Sequence, residues 1–148
     1  MPFRTLKPTL FKIMPTPTQA FPIWATGRRK NATARVRLIP GSGKFLINDR
    51  SVEDFFGGHG RSKWQAMRPF EVAKVAAQYD ISIDVVGGGV TGQAGAVSHG
   101  LARVFSKLDN SIRLAMRKEG LVTRDSRMVE RKKPGRPKAR KRFQYSKR

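Results

Sequence analysis

From Ala32 to Ile39 apolar and polar side chains alternate, with Ala32, Ala34, Val36 and Leu38 on one face and Arg35 and Arg37 on the other. That period of two predicts a half-buried strand with a basic outer side. Pro40-Gly41-Ser42-Gly43 carries turn chemistry and Lys44 to Ile47 can return as a second short strand, so the pattern predicts a hairpin. Ser51, three residues ahead of Asp54, can cap a short helical turn through Phe55 and Phe56, which Gly57-Gly58-His59-Gly60 ends. Pro69 then stands where a first helical position would be. Val72, Val75, Ala76 and Tyr79 follow it at i, i+3, i+4 and i+7, the spacing of an amphipathic helix. Ile81, Ile83 and Val85 alternate with Ser82 and Asp84 as the next strand. After Gly87-Gly88-Gly89-Val90-Thr91-Gly92, a long helix is predicted with Ala94, Val97, Leu101, Val104, Phe105 and Leu108 on one stripe. Asp109 or Asn110 caps a last helix that Gly120 closes. Met128-Val129-Glu130 could add an edge strand.

The two ends of the chain read differently. Residues 1–23 hold Pro2, Pro8, Pro15, Pro17 and Pro22, several threonines and no acid, which predicts an irregular basic extension. A transit peptide is the sharper alternative, but the segment lacks serine and its prolines spoil an amphipathic helix. No uninterrupted apolar region of a secretory signal is present, so Asn31-Ala32-Thr33 has no secretory context in which to be glycosylated. From Arg131 to Arg148 ten of eighteen residues are Lys or Arg, none is acidic, and Pro134 and Pro137 prevent a continuous helix. Such a segment cannot build a core and is expected to stay extended until an anion orders it. The division is therefore an irregular extension (1–23), a folded body (24–128) and an extended basic tail (129–148).

Charge sharpens that division. The 148 residues carry 31 Lys+Arg against 10 Asp+Glu, a net charge of +21. Residues 49–116 are nearly balanced at +1, whereas residues 1–48 hold +9 and residues 117–148 hold +11. A balanced body with basic arms points to nucleic acid as the partner, because self-repulsion of this size is relieved by a polyanion. The absence of cysteine removes disulfide scaffolds, thiolate metal sites and cysteine nucleophiles. No apolar run approaches the roughly 18 residues of a membrane span.

Several motifs compete for the chemistry. Gly87 to Gly92 satisfies G-x-G-x-x-G between a strand and a helix, and Asp109 lies 17 residues further on, as in a dinucleotide fingerprint. That mechanism needs the acid on a second parallel strand, but here one helical stripe runs straight into Asp109. The plainer reading is that these glycines, Gly88 and Gly89 alike, supply positive φ and close approach at a strand-to-helix turn. A reading that also fits the charge has the loop N–H groups and the helix dipole holding a nucleic-acid phosphate. Gly41-Ser42-Gly43-Lys44 resembles a P-loop but lacks the first glycine and the metal-binding hydroxyl. His59 and His99 are the only imidazoles, and the residue one turn before His99 is Gly95, so no metal pair forms and His99 takes a polar or RNA-facing role. No catalytic residue, metal, cofactor or small-molecule substrate is expected. Lys132-Lys133-Pro134-Gly135-Arg136-Pro137-Lys138 resembles an AT-hook, with Pro134 in place of one of its two groove-reading arginines. Phe143 and Tyr145 are interleaved with the tail's charges, which adds stacking to phosphate neutralisation.

Three stretches resemble the bacterial-type small ribosomal subunit protein nine family. They are Thr26-Gly27-Arg28-Arg29-Lys30 leading into Ala34-Arg35-Val36; Gly87 to Ala96 continuing through His99-Gly100-Leu101-Ala102-Arg103; and Val122-Thr123-Arg124-Asp125 with Val129 to Lys133 and the terminal Ser146-Lys147-Arg148. The likeness spans Trp24 to Arg148; residues 1–23 have no counterpart, and Phe143 stands where the family carries a proline. The resemblance implies an α/β body of α+β two-layer type, a small mixed sheet with helices on one face and a left-handed crossover. It further implies a place in the head of the small ribosomal subunit, bound to the 3′ major domain of its rRNA beside other ribosomal proteins, on a bacterial cytoplasmic ribosome or an organellar one. The rRNA-binding residues so implied are Arg28, Arg29, Lys30, Arg35 and Arg37; Gly87, Gly88, Gly89, Gln93 and Arg103; and, along the tail, Arg131, Lys132, Lys133, Arg136, Lys138, Arg140, Lys141 and Arg142. Lys147 and Arg148 would approach peptidyl-site tRNA. Two other functions remain open on the residues alone: an AT-hook-like architectural DNA binder and a small nucleotide-dependent enzyme built on the glycine loop.

Overall fold

A computed structural model describes residues 21–74 and 79–146. The chain runs β1 (Ile23–Arg29), β2 (Ala32–Pro40), β3 (Phe45–Ile47), α1 (Val52–Phe56), α2 (Gly60–Ala73), β4 (Tyr79–Val86), α3 (Val90–Leu108) and α4 (Asn110–Lys118). The four strands form one mixed sheet in the order β1-β2-β4-β3, with β1/β2 and β2/β4 antiparallel and β3/β4 parallel. The fold is thus the α+β arrangement expected. The expectations for residues 1–20, for Val75 and Ala76, and for Lys147 and Arg148 lie outside the described residues.

Alternation sets the inner face. Ala32, Ala34, Val36 and Leu38 of β2 and Ile81, Ile83 and Val85 of β4 are buried, while Arg35, Arg37, Ser82 and Asp84 point away from the core. Against the inner face lies α3, whose Ala94, Val97, Leu101, Val104 and Phe105 are fully buried. Phe70 of α2 meets Phe105 edge to face at 5.2 Å and Phe45 of β3 at 5.1 Å, closing the far side of the core. Met116 of α4 is buried, and Leu121 and Val122 beyond it pack against the same cluster.

Three expectations need correction, and one strand was not expected. β3 does not fold back on β2. Its partner is β4, which it pairs in parallel at Ile81 to Ile83, and the hairpin of this sheet is β1–β2, turned at Lys30 with φ 50°. β1 itself has too weak an alternation to be read from sequence, because its inward positions are Ile23, Ala25 and Gly27. The helix placed from Pro69 to Tyr79 instead ends at Ala73, and it starts at Gly60 with Pro69 inside it. Proline forfeits one helical hydrogen bond, and the buried stripe of Ser62, Ala66, Pro69 and Phe70 offsets the loss. Tyr79 opens β4. Finally, Met128-Val129-Glu130 forms no strand, and Val129 is 90% exposed.

The short caps follow the sequence closely. Ser51 Oγ accepts the Asp54 N–H at 3.1 Å, and Gly57 leaves α1 with φ 50°. Asp109 caps α4 through the Ser111 N–H, and Gly120 follows α4 with φ 69°.

Candidate nucleic-acid interface

The outer face of the sheet carries no helix. On its β1/β2 half it presents Trp24, Thr26 and Arg28 beside Thr33, Arg35 and Arg37, in register so that Trp24 lies opposite Arg37 and Thr26 opposite Arg35. The Arg37 guanidinium stands over the Trp24 ring, 5.6 Å from its centre. Among the described residues Arg28, Arg35 and Arg37 make no ion pair. Three unpaired guanidinium groups therefore face outward from adjacent strands.

β1 is an edge strand, whose outward N–H and C=O groups would template unwanted pairing if left free. Side chains of α3 take up three of them. The Arg28 N–H donates to His99 Nδ1 at 3.2 Å, Arg103 Nη1 donates to the Thr26 carbonyl, and Lys107 Nζ donates to the Trp24 carbonyl at 2.7 Å. Four helical residues rise about 6 Å and two strand residues about 6.8 Å, so positions 99, 103 and 107 of one element keep step with 28, 26 and 24 of the other. Glycine allows the approach: a Cβ on Gly27 would stand 2.0 Å from the Ala96 carbonyl oxygen, and one on Gly100 2.6 Å from Val36 Cγ2. Because Nδ1 accepts, Nε2 carries the proton and donates to the Val122 carbonyl at 3.1 Å. Burial, with Arg103 and Arg124 nearby, holds the His99 pKa below its ordinary value. Of the roles expected for His99, the polar one is realised, as a tie within the body. Lys107 was missed by sequence reading; its i+4 spacing from Arg103 is the signal that would have found it.

The glycine loop joins β4 to α3. Gly87 (φ 75°) and Gly88 (φ 66°) need the left-handed region, whereas Gly89 is extended at φ −110° and ψ 173° and serves as the uncapped N-cap of α3. The expectation of positive φ therefore holds for Gly88 and not for Gly89. Gln93 Nε2 donates to the Gly87 carbonyl at 3.2 Å and fastens the loop. Lys30, Asn31 and His59 join Gly88 to Gly92 around an open cleft of about 360 Å³. The start of a 19-residue helix lies on this cleft, with its N–H groups and dipole disposed toward an anion. Asp109 is at the opposite end of that helix, about 27 Å away by its rise, where it caps α4. No strand follows α3 among the described residues, so the acid of a dinucleotide site is not in place.

The P-loop-like segment has its own occupant. Asp80 Oδ1 accepts the N–H groups of Ser42, Gly43 and Lys44 at 2.8, 2.9 and 2.9 Å, and these bonds, led by that of Lys44, hold the carboxyl below its ordinary pKa. A nest of this kind binds an anion. Here the anion is part of the chain.

Beyond α4 the described chain, to Ser146, holds neither helix nor strand. Its first part is tied down: Asp125 accepts from Arg127 (Nη2 to Oδ2 2.7 Å, backbone N–H to Oδ1 2.9 Å) and pairs with Arg29, which together keep its carboxyl far below the usual range. Arg29 is thereby turned toward its own chain. An edge strand at Met128–Glu130 would meet a β1 edge on which α3 side chains already hold the Arg28 N–H and the Thr26 and Trp24 carbonyls. Arg140 pairs with Glu130 at 2.7 Å, and the Arg136 N–H closes a turn on the Lys133 carbonyl across Pro134 and Gly135 (φ 70°). That turn bends the segment that resembled an AT-hook. Arg131, Lys132, Lys133, Lys138, Lys141 and Arg142 are exposed, and Arg136 is half-buried.

Among the described residues no helix is long and apolar enough to cross a membrane, and no three His, Cys, Asp or Glu residues are grouped to hold a metal ion. Compared with known protein families, the chain matches the family described as Ribosomal protein S9/S16 over residues 27–148.

Proposed function

The chain belongs to the ribosomal protein S9/S16 family, as a ribosomal protein of the small subunit acting in translation, and from that premise we propose that it binds rRNA in the head of the subunit, in the 3′ major domain, and directs its tail toward peptidyl-site tRNA. In this reading residues 24–128 are the body and 129–148 the arm, with 1–23 an accessory extension. Arg28, Lys30, Arg35, Arg37 and Arg103 neutralise phosphates around the body. The loop of Gly87, Gly88 and Gly89, fastened by Gln93, offers the start of α3 to another phosphate. Arg131 to Arg142 follow the rRNA backbone, Lys147 and Arg148 reach the tRNA, and Arg29 acts through Asp125 by fixing where the arm leaves the body. Catalysis is assigned to none of these residues. The ribosome is that of a bacterial cytoplasm, and the other partners are proteins of the head.

One observation carries this reading: the family match runs to residue 148, through a tail with ten basic groups in its last eighteen residues and no secondary structure from Leu121 to Ser146. Such a tail has no use for its charge except against a polyanion. Removing Gln144 to Arg148 deletes two charges and leaves eight from Arg131 to Arg142. Filter binding of tRNA to subunits carrying either protein, across a salt series, should show selective loss of tRNA affinity and a log–log salt slope lower by roughly 1.5. Equal affinity and slope would leave the tail as an rRNA anchor alone.

A further inference from the structure

The exposed tryptophan on the helix-free face of the sheet has no part in the core. Trp24 is 50% exposed, its ring lies against the Arg37 guanidinium, and its backbone carbonyl receives the Lys107 ammonium, so one cation meets the ring and a second fixes the backbone beneath it. Arg35, the preceding outward position of β2, and Arg28, further along β1, extend that positive field along the strands. Carboxylates on the face are confined to β4: Asp80 is spent on the loop N–H groups, and Asp84 lies opposite Arg35 in the register without forming an ion pair with it, which leaves Arg37 as the β2 arginine farther from acid. The β1/β2 half is therefore basic and aromatic.

Resting on the RNA-binding reading above, we propose that Trp24 and the Arg37 guanidinium form a stacking site for one unpaired base of single-stranded RNA crossing this half of the sheet. Bases splayed from a helix stack on aromatic rings and on arginine planes, and the phosphates on either side need cations within reach. Arg35 and Arg37, two strand positions apart, are about 6.8 Å apart along β2, close to the phosphate separation of an extended strand. Duplex RNA cannot use the ring, because its bases are already stacked. A protein partner fits less well: the centre of such an interface is apolar and poor in charge, whereas the Trp24 ring carries the Arg37 guanidinium and has Arg35 at the next outward position of β2. The exposed Leu46 sits on β3, three strand spacings or about 14 Å away, and exposed Val86 pairs with Thr33 toward the other end of β2.

The full chain carrying Trp64→Phe reports Trp24 alone by fluorescence, since the sequence has two tryptophans. Single-stranded oligouridylate or oligoadenylate should quench that emission at saturation, while inorganic polyphosphate and a blunt-ended RNA duplex bind without quenching it. Trp24→Leu should weaken single-strand binding about ten- to a hundredfold and leave the salt slope unchanged; Arg35→Ala should lower the slope by about one. Unchanged Trp24 emission with saturating single strands overturns the stacking site, and a lowered slope in Arg35→Ala would then leave the RNA-binding reading standing. If neither the emission nor the slope responds, both readings of this face fail. Should Trp24→Leu subunits lose a neighbouring protein with no quenching by RNA, the face belongs to a protein contact instead.

Discussion

At Gly88 the backbone has φ 66° and a Cβ would stand 3.0 Å from the Ala32 nitrogen and Cβ, whereas at Gly89 the backbone is extended and nothing lies within 4 Å. Two identical neighbours in sequence therefore carry different constraints. Gly88→Val must place a β-branched side chain in the left-handed region against the start of β2, and should cost about 1–3 kcal/mol. Gly89→Val meets no neighbour and loses only the preference of an N-cap for small or polar residues, about 1 kcal/mol or less. Urea denaturation of the two variants decides this, and equal losses would show that the φ of Gly88 is not the constraint. The same distinction explains why Gly41-Ser42-Gly43-Lys44 is not a nucleotide loop. Its N–H groups are already saturated by Asp80.

Between elements, the decisive contact is α3 on the edge of β1, and His99 makes it depend on pH. The ring accepts the Arg28 N–H and donates to the Val122 carbonyl, so the neutral form satisfies both partners and the protonated form loses one. Its pKa in the fold lies below the ordinary value near 6.5, so the unfolded chain binds more protons in that window. The contribution is fully present above about pH 6.5 and is lost as the pH falls from there toward the folded pKa. Stability measured by urea should decline from about pH 7 to pH 5, a range above the ordinary carboxylate values. The decline should be shallower in His99→Gln, and equal slopes would remove His99 as the cause. This contact also marks where sequence stops being legible. β2, β4, α3 and α4 announce themselves because one face of each is apolar at its own period. β1 does not, since the close approach of α3 requires small residues at Ala25 and Gly27, and smallness carries no hydrophobic signal. The pairing of β3 with β4 joins residues such as Phe45 and Ile81, far apart in the chain, and adjacent turn residues favoured the wrong hairpin. The basic residues of the candidate interface were legible as charge; Arg29 was not legible as a partner of Asp125, nor Trp24 as an exposed ring beside Arg37.

For the whole molecule, the question is where folded chain gives way to tail. Charge alone put the boundary near Met128. Packing puts the last firm anchor at Asp125, held by Arg29 and Arg127, after Leu121 and Val122 have joined the core. From Arg131 onward the described contacts are the exposed Arg140–Glu130 pair and the local turn from the Arg136 N–H to the Lys133 carbonyl, and a surface pair of that kind contributes little. Ordering such a segment costs about 1–2 kcal/mol per residue in backbone entropy alone, which one surface ion pair cannot offset. Limited trypsin digestion of the full chain in low salt should therefore cut first between Arg131 and Arg142 and leave a stable product ending near Arg127 to Arg131. Asp125→Asn should let cleavage advance to Arg124 by releasing the anchor. Adding an rRNA fragment of the subunit head should protect the tail, and protection should fade as salt rises, because each neutralised phosphate releases a counterion whose entropy shrinks with added salt. A tail resistant to trypsin without RNA would mean that contacts within the chain order it. Protection that persisted in high salt would mean that its grip on RNA rests on stacking by Phe143 and Tyr145 more than on its lysines and arginines.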